Sequence, residues 1–321
     1  MDDYGKLLNI SILAALKAGL EIMDIGRSND YNIDAKADES PVTTADIRAD
    51  KVITSLLEDT GLPVLSEEGR SVSYRKRKSW KRFWLVDPLD GTREFIDGTG
   101  EFTVNIALIA DQQPWSGVVY VPVRDILYAG IKNFGSWRFN NASALNNLAY
   151  GSFGDAVNNI LTGKQGPGTD NRFWVNVPSD INWLENGIQL PFTSKKGYGI
   201  VASRSFPDER THRFINEFSK RYHDTRIVTT GSSIKLCMLA EGEADIYPRF
   251  TNIWEWDTAA GHAIVLAAGG GVVQAANTGQ QLIYNKKDNL NPWFVGFRNR
   301  ELLENIKDMI PFPLKKGSPG N

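Results

Sequence analysis

The residues WLVDPLDGTREF (84–95) join an apolar strand to a turn that carries two carboxylates. Asp87 and Asp90 are three positions apart, and one of the two residues between them is a proline. Proline fixes φ and removes a backbone donor, so we expect the aspartates to project from a stiff turn, with the carbonyl of Leu89 free to turn inward. Gly91, directly after them, lets the backbone approach an anion closely. The stretch therefore predicts a strand end built to hold charged groups.

Elements of two kinds lie on either side of this stretch. Residues 5–25, and a segment that begins at Thr43 or Thr44 and stops before Gly61, place apolar residues at helical spacing. Short apolar runs, with turn residues between the later ones, predict strands of an antiparallel meander: LPVLS, FWLVD, TVNIALIA, SGVVYVP and DILYAGI. From Tyr198 onward, strands and helices alternate, which favours a sheet with helices on its faces. The sequence predicts an α/β fold.

Three parts follow one another along the chain. Residues 1–140 form an N-terminal α+β half with the candidate metal motifs, and residues 193–321 form a C-terminal α/β half with the candidate substrate-recognition residues. Between them, residues 141–192 are rich in Asn, Gly and Ser with weak periodicity, which indicates an inserted or connecting segment. We expect the two halves to pack as one compact unit.

Composition limits the classes of partner. The 321 residues include 36 Lys and Arg against 38 Asp and Glu, so no global charge excess would attract nucleic acid or an anionic membrane. No apolar run reaches the ~20 residues of a membrane span, and the N-terminus lacks the basic region of a signal peptide. The single cysteine, Cys237, lies in an apolar stretch and predicts a core thiol in a cytoplasmic protein. The oligomeric state stays open.

Four carboxylates stand where strands end or helices begin: Glu67, Asp87, Asp90 and Asp257. Magnesium requires oxygen ligands, and four carboxylates can supply them for two ions. Metal-assisted transfer of a phosphoryl group to water would use such a set. Each motif also has a plainer interpretation: D-x-x-D is common in turns, Asp257 could be a helix N-cap, and Glu67 could lie in a solvated loop.

Six segments together resemble the inositol monophosphatase superfamily, over roughly residues 5–140 and 193–300: SPVTTADIRAD, VLSEEG, WLVDPLDGTREF, GEFTVNIALI, GSSIKLCMLAEGEADIYPRF and WDTAAGHAIVLAAGG. The motif D-P-x-D-G-T with a distant W-D-x-A-A-G is a specific pair. Within the superfamily, the chain looks most like the bacterial 3'(2'),5'-bisphosphate nucleotidases of the CysQ type. The resemblance implies a layered αβαβα sandwich of the inositol monophosphatase and fructose-1,6-bisphosphatase type.

The resemblance also implies roles for particular residues. Two or three magnesium ions would be bound by Glu67, Asp87, the carbonyl of Leu89, Asp90 and Asp257. The reacting phosphate ester would contact Glu67, Leu89, Asp90, Gly91, Thr92 and Asp257. The catalytic pair would be Thr92, whose hydroxyl contacts the nucleophilic water, and Asp46, which accepts a hydrogen bond from Thr92. By the same resemblance, lithium should inhibit.

A second group would recognise a phosphorylated nucleotide. The resemblance assigns the phosphoadenosine contacts to Ser232, Lys235 and Arg249, whose spacing fits the nucleotidases, and to Ser205. Phe206 follows Ser205 at a position where the nucleotidases often have histidine, which puts polar contacts to the purine in question. Without the family context, Lys235 and Arg249 could be ordinary surface residues.

Three functions remain as hypotheses from the sequence. The first is a Mg²⁺-dependent phosphatase that removes the 3'-phosphate of adenosine 3',5'-bisphosphate, giving AMP and phosphate, in the nucleotide recycling of sulfur assimilation. The second is an inositol monophosphatase or a broad sugar-phosphate phosphatase. The third is an inactive nucleotide-binding module. The sequence leaves the preference among the bisphosphate nucleotide, its sulfated precursor and inositol phosphates open.

Overall fold

The computed structural model describes residues 2–28, 32–36, 40–145, 187–192, 197–204 and 208–311. The helices are α1 (Asp2–Ser28), α2 (Thr44–Glu58), α3 (Tyr74–Arg77), α4 (Thr92–Ile96), α5 (Glu209–Arg221), α6 (Ile234–Glu241), α7 (Trp256–Ala267) and α8 (Arg300–Asn305). The strands of the first half are β1 (Ile33–Ala35), β2 (Pro41–Thr43), β3 (Val64–Ser66), β4 (Arg82–Asp90), β5 (Thr103–Ala110), β6 (Gln113–Val121), β7 (Ile126–Ile131) and β8 (Gly135–Asn140). The later strands are β9 (Ile188–Gln189), β10 (Tyr198–Ser203), β11 (Thr225–Thr230), β12 (Ile246–Arg249), β13 (Gly271–Gln274), β14 (Asn277–Gln281) and β15 (Phe294–Phe297).

The first large sheet has seven strands in the order β3-β4-β5-β6-β7-β8-β9. Strands β4 to β8 pair antiparallel in sequence order, which confirms the predicted meander. Strand β3 pairs with β4 in parallel. Strand β9 comes from the predicted connecting segment 141–192, most of which lies outside the described residues.

The second large sheet has six strands in the order β11-β10-β12-β15-β13-β14. The parallel strands β10, β11 and β12 are joined by helices α5 and α6, as the alternating pattern predicts. Strand β15 then inserts antiparallel between β12 and β13. A separate two-stranded ribbon, β1 with β2, precedes helix α2.

Three apolar clusters show how the layers stack. Residues of α1 and α2 pack on one face of the seven-stranded sheet. Residues of α6 and α7 fill the space between the other face and the six-stranded sheet. Residues of α5 and α8 cover the far face of the six-stranded sheet. The order helix, sheet, helix, sheet, helix confirms the αβαβα sandwich.

Helix α7 packs closely against the seven-stranded sheet because the sheet has glycines beneath it. A Cβ on Gly117 would come within 2.3 Å of the carbonyl oxygen of Ala260, and a Cβ on Gly130 within 2.9 Å of the Cα of Ile264. Glycine permits this approach of backbone to backbone, which side chains would prevent. The position of α7 is thereby fixed between the two sheets.

Helix α2 starts with a capping box at the threonine predicted to begin it. Thr43 is the N-cap, its side chain accepts from the amide of Ala45, and the Asp46 carboxylate accepts from the Thr43 amide at 2.7 Å and from the Thr43 hydroxyl at 2.6 Å. The box satisfies backbone donors that the first helical turn leaves unpaired. It also holds one carboxylate oxygen of Asp46 fixed.

Buried His262 on α7 links the helix to strand β14 and the loop after it. Its Nδ1 lies 2.8 Å from the Tyr284 hydroxyl, and its Nε2 lies 3.0 Å from Oε1 of Gln281. The amide of Val272 also donates to that Gln281 oxygen, which makes the oxygen an acceptor and His262 Nε2 a donor. Burial lowers the pKa of His262 to about 4, so the ring is neutral in the folded protein at pH 7.

This ring makes folding stability depend on pH in a defined window. Unfolded His262 titrates near 6.5 and folded His262 near 4, so its contribution is complete above pH 6.5 and is lost as the pH falls toward 4. A difference of this size corresponds to about 3 kcal/mol of unfolding free energy. We expect His262→Gln to lose less stability than the wild type between these pH values, measured by urea unfolding. Equal pH slopes for the two proteins would contradict the prediction.

The prediction of a core thiol is confirmed. Cys237 is fully buried, and burial raises the pKa of its thiol, in agreement with a core cysteine. Among the described residues, no helix is long and apolar enough to cross a membrane. Ser205 and Phe206 lie outside the described residues.

Candidate active site

A cleft of about 280 Å³ opens where the two halves of the chain meet. Small-molecule sites commonly have volumes of ~300–1,000 Å³, so the cleft is near the lower end of that range. Its first wall, the carboxylate wall, is formed by Glu67, by the segment from Asp87 to Glu94 at the end of β4 and the start of α4, and by Asp257 at the start of α7. The second wall, the recognition wall, comes from the ends of β10, β11 and β12 and the start of α6. Residues predicted from distant motifs thus line one cavity.

Three of the four predicted carboxylates form one group. Glu67, Asp87 and Asp257 each place a carboxylate oxygen so that the three atoms lie within 4.8 Å of one another. Burial, and then repulsion from neighbouring carboxylates, raises the pKa of Asp87 and of Asp257 well above the usual range. Lys36 donates to Glu67 at 2.6 Å and also to Glu68. A single lysine does not balance so many buried negative charges.

The chemistry of this group fits a bound divalent cation. The donors are hard carboxylate oxygens from three separate segments, which is the ligand type that magnesium selects. The interpretations of Glu67 as a solvated residue and of Asp257 as an N-cap are wrong. The Glu67 side chain is 21% exposed, and Asp257 lies inside the first turn of α7, whose N-cap is Glu255. The Asp257 carboxylate instead accepts from the Trp254 amide at 3.0 Å.

Asp90 lies apart from the three grouped carboxylates, on the same cleft. Its Oδ2 accepts from the Ser233 hydroxyl at 2.8 Å and from the Asn105 amide at 3.1 Å. Asn105 also donates to Ser233 at 2.9 Å, and Ser233 lies 2.7 Å from the carbonyl oxygen of Asp257. Asp90 is therefore oriented by residues of both halves, with its second carboxylate oxygen free of these contacts.

The predicted catalytic pair is in contact. The Thr92 hydroxyl lies 2.8 Å from Asp46 Oδ1 and donates to it, while the other Asp46 oxygen serves the capping box of α2. Burial raises the pKa of Asp46, and hydrogen bonds from Thr43 and Thr92 oppose that shift. Because the Thr92 proton points at Asp46, the lone pairs of the Thr92 oxygen are available to accept from another group. The pair is built to hold a donor such as water.

The backbone between the two aspartates of β4 departs from regular strand geometry. The register with β5 shifts between Asp87 and Asp90, and the amide of Leu89 donates to the Asp87 carboxylate at 3.1 Å. The Leu89 carbonyl lies 3.3 Å from the Thr92 hydroxyl and lines the cleft. Gly91 has φ of 99°, a left-handed conformation that a side chain would disfavour. The proline predicted a stiff turn between the aspartates; the structure instead keeps both aspartates in β4, with a bulge between them.

The second wall carries the predicted recognition residues. Lys235 is 7% exposed, so its interpretation as a surface residue is wrong, and its ammonium lies 3.3 Å from the Thr230 carbonyl. Arg249 donates to the Ser203 hydroxyl at 2.6 Å. Three buried polar atoms here have no hydrogen-bond partner among the described residues: Thr230 Oγ1, Ser232 Oγ and Arg249 Nε. Buried polar atoms are normally paired, so these point to a polar ligand.

Sequence reasoning missed three polar residues of the site. Lys36 carries no local signal, because lysine is common in polar segments. Asn105 has one: it is the single amide in the apolar strand TVNIALIA, and such a residue requires hydrogen bonds when buried. Ser233 adjoins Ser232 in the sequence. Only the structure shows that α6 begins directly after Ser233, so that the two serine side chains point in different directions.

Comparisons with known proteins show which family and which relatives the chain is similar to. The model of the inositol monophosphatase family matches residues 3–304. The 3'(2'),5'-bisphosphate nucleotidase CysQ of Escherichia coli strain K12 is 37% identical over 289 residues, which cover 87% of this chain and 95% of the relative. The relative with that name from Salmonella typhimurium is 37% identical over 265 residues, covering 81% of this chain and 86% of the relative.

Solved structures show the same likeness. The crystal structure of CysQ from Bacteroides thetaiotaomicron, described as a bacterial member of the inositol monophosphatase family, has a TM-score of 0.73 and 39% identity. The alignment covers 91% of this chain and 97% of that one. The SuhB protein of Bartonella henselae has a TM-score of 0.66 at 21% identity over 97% of this chain and 98% of its own, which shows a shared fold.

Proposed function

Because the chain belongs to the inositol monophosphatase family, we propose that it is a phosphoric monoester hydrolase that cleaves the 3'-phosphate of adenosine 3',5'-bisphosphate. The products are AMP and phosphate. One observation carries the proposal. The cleft has the carboxylate wall with the Thr92–Asp46 pair on one side, and the recognition wall, with Lys235, Arg249 and unpaired polar atoms, on the other. One wall suits hydrolysis of an ester and the other suits a second anionic group. The single buried cysteine is compatible with the cytoplasm as the place of reaction.

The carboxylate wall would hold two or three magnesium ions, with these ligands: Glu67, Asp87, the Leu89 carbonyl, Asp90 and Asp257. Magnesium would supply positive charge to the transferring phosphoryl group and its attacking and leaving oxygens. The protein contributes the arrangement of the donors. The bulge of β4 presents the Leu89 carbonyl, and Ser233 with Asn105 fixes the orientation of Asp90.

Thr92 and Asp46 orient the nucleophile in this proposal. The Thr92 hydroxyl donates to Asp46, so its oxygen accepts from the attacking water and directs a lone pair of that water toward phosphorus. The amides of Gly91 and Thr92 donate to the oxygens of the reacting phosphate. The left-handed conformation of Gly91 lets the backbone approach those oxygens.

The recognition wall would select the nucleotide. Lys235 and Arg249 pair with the phosphate that is not cleaved, and the unpaired Ser232 hydroxyl donates to the same ligand. Ser205 is placed with them by resemblance alone.

The decisive experiment compares kcat/KM on adenosine 3',5'-bisphosphate and on inositol 1-phosphate, with Mg²⁺ and with a chelator. We expect a strong preference for the nucleotide, and loss of activity in chelator. A preference for the inositol ester would instead support an inositol or sugar phosphatase. No release of phosphate from any ester by metal-replete protein would support an inactive binding module.

Removal of the Arg249 side chain should impair recognition more than chemistry. We expect Arg249→Ala to raise KM for adenosine 3',5'-bisphosphate by about 10- to 100-fold, because a charge-assisted hydrogen bond contributes ~1.5–3 kcal/mol to binding. The value of kcat should change little, since the contact is similar in ground and transition states. Steady-state kinetics on this substrate measures KM and kcat. The same measurement on adenosine 3'-monophosphate shows whether the effect depends on the second phosphate.

A matched control is Arg213→Ala, which removes an exposed arginine from α5, beyond the second sheet. It should leave both substrates unaffected. If Arg249→Ala lowered activity on both esters equally, Arg249 would be structural.

A further inference from the structure

Glu101, two residues before β5 begins, contacts a segment of each wall of the cleft. Its side chain is 12% exposed, so its charge is largely withdrawn from water. It is absent from every role considered above. A carboxylate in this position requires partners, and it finds them in the opposite half of the chain.

Both carboxylate oxygens of Glu101 are engaged by the C-terminal half. Oε2 accepts from the amide of Gly231 at 2.7 Å. Oε1 accepts from the guanidinium of Arg204 at 2.7 Å. Arg124 of its own half is farther away, at 4.0 Å. One partly buried carboxylate thus connects the N-terminal half of the chain to two segments of the recognition wall.

The backbone of Glu101 is also close to both walls. A Cβ on Gly91 would come within 3.2 Å of the Glu101 carbonyl oxygen, and a Cβ on Gly231 within 2.8 Å of that same oxygen. Two glycines therefore pack against the Glu101 backbone: Gly91, directly after β4, and Gly231, in the loop after β11. Their lack of side chains permits this close packing.

Gly231 immediately precedes a residue with an uncommon backbone conformation. Ser232 has φ of 47°, in the left-handed region that residues other than glycine adopt only under constraint from their surroundings. The Glu101–Gly231 hydrogen bond restrains the loop at this point. The hydroxyl of Ser232 and, three residues later, the ammonium of Lys235 take their positions from the loop.

We infer that Glu101 is a positioning residue that sets the distance between the carboxylate wall and the recognition wall. The inference rests on the proposed function and adds to it. A substrate with two phosphates must reach both walls at once, so the fixed separation selects for a bisphosphate. A monophosphate that contacts only the carboxylate wall does not depend on the separation of the two walls.

The test uses two esters with the same reacting group, adenosine 3',5'-bisphosphate and adenosine 3'-monophosphate. For Glu101→Ala, KM for the bisphosphate should rise about 10-fold with kcat within about threefold, and both constants for the monophosphate should stay within about twofold. Glu101→Gln keeps an acceptor for the Gly231 amide and should restore much of the bisphosphate KM. Arg124→Ala, which removes the exposed arginine 4.0 Å from Glu101 within the same half of the chain, leaves both contacts to the C-terminal half in place, so as the matched control it should change neither substrate.

Circular dichroism and thermal unfolding establish that each variant is folded. If the alanine variant is not, Glu101→Asp takes its place, because the shorter side chain cannot reach both Gly231 and Arg204 and should also raise KM for the bisphosphate alone. Equal losses of kcat/KM on both esters would overturn the inference, as would an unchanged preference in Glu101→Ala. A wild-type enzyme with no preference for the bisphosphate would refute the proposed function, and the inference with it. The wild-type measurement therefore separates the two failures.

Discussion

Asp257→Asn is expected to lower kcat by about 10²- to 10³-fold, equivalent to roughly 3–4 kcal/mol of transition-state stabilisation. Asp257 belongs to the group of three carboxylates proposed to hold the cations, and the amide that replaces it is neutral. Fewer charged ligands also bind a divalent cation less tightly, so calorimetric titration with Mg²⁺ should show weaker affinity.

The fold of this variant should survive, which separates the loss of chemistry from a loss of structure. Asparagine can still accept from the Trp254 amide, and the substitution relieves repulsion from Asp90 and Glu67. In chelator, its thermal stability should equal or exceed that of the wild type. Asp97→Asn removes an equal charge from an exposed position and should keep full activity. Unchanged kcat and Mg²⁺ affinity in Asp257→Asn would exclude Asp257 from the metal site.

Asp46→Asn is expected to lower kcat by about 10²- to 10⁴-fold, with little change in KM. The wild-type carboxylate accepts on both sides, from Thr92 and from the N-cap residue Thr43. An amide has only one oxygen, so one side must face the NH₂ group. If the oxygen keeps the cap, the amide donates to Thr92, and the polarity of that hydrogen bond is reversed.

Variants of Thr92 show whether the two residues act as one unit. Thr92→Ser keeps the hydroxyl and should retain most activity, whereas Thr92→Val should be as impaired as Asp46→Asn. The double variant Asp46→Asn with Thr92→Val should be no worse than either single variant, because the residues serve one step. Multiplied losses in single-turnover kinetics would show that the residues act independently.

The sequence predicted the parts of the fold that depend on neighbours along the chain. The meander from β4 to β8 follows from short apolar runs and intervening turns, and helix α2 follows from the threonine that caps it. The insertion of β15 between β12 and β13 was not predictable, because pairing between distant strands leaves no local pattern. The parallel pairing of β3 with β4 escaped for the same reason.

The residues of the candidate site were likewise predictable only in part. Carboxylates at strand ends and the rigid D-P-L-D turn indicate metal chemistry by themselves, while the pairing of Thr92 with Asp46 was expected only from resemblance. Residues that act through the opposite half, such as Ser233 and Glu101, were missed. Their importance depends on distances across the cleft, and a serine or glutamate in a polar stretch gives no sign of them.

The late position of α7 in the sequence also affects how the chain is made. This helix covers the inner face of the seven-stranded sheet, yet it ends at Ala267, far beyond the end of β7 at Ile131. At ~5–20 residues per second, a ribosome needs on the order of ten seconds to synthesise the intervening chain. During that interval the apolar residues beneath α7, among them Ile109 and Val119, have no helix to cover them. We expect the nascent first half to bind chaperones in this period, and fragments that end before α7 to aggregate.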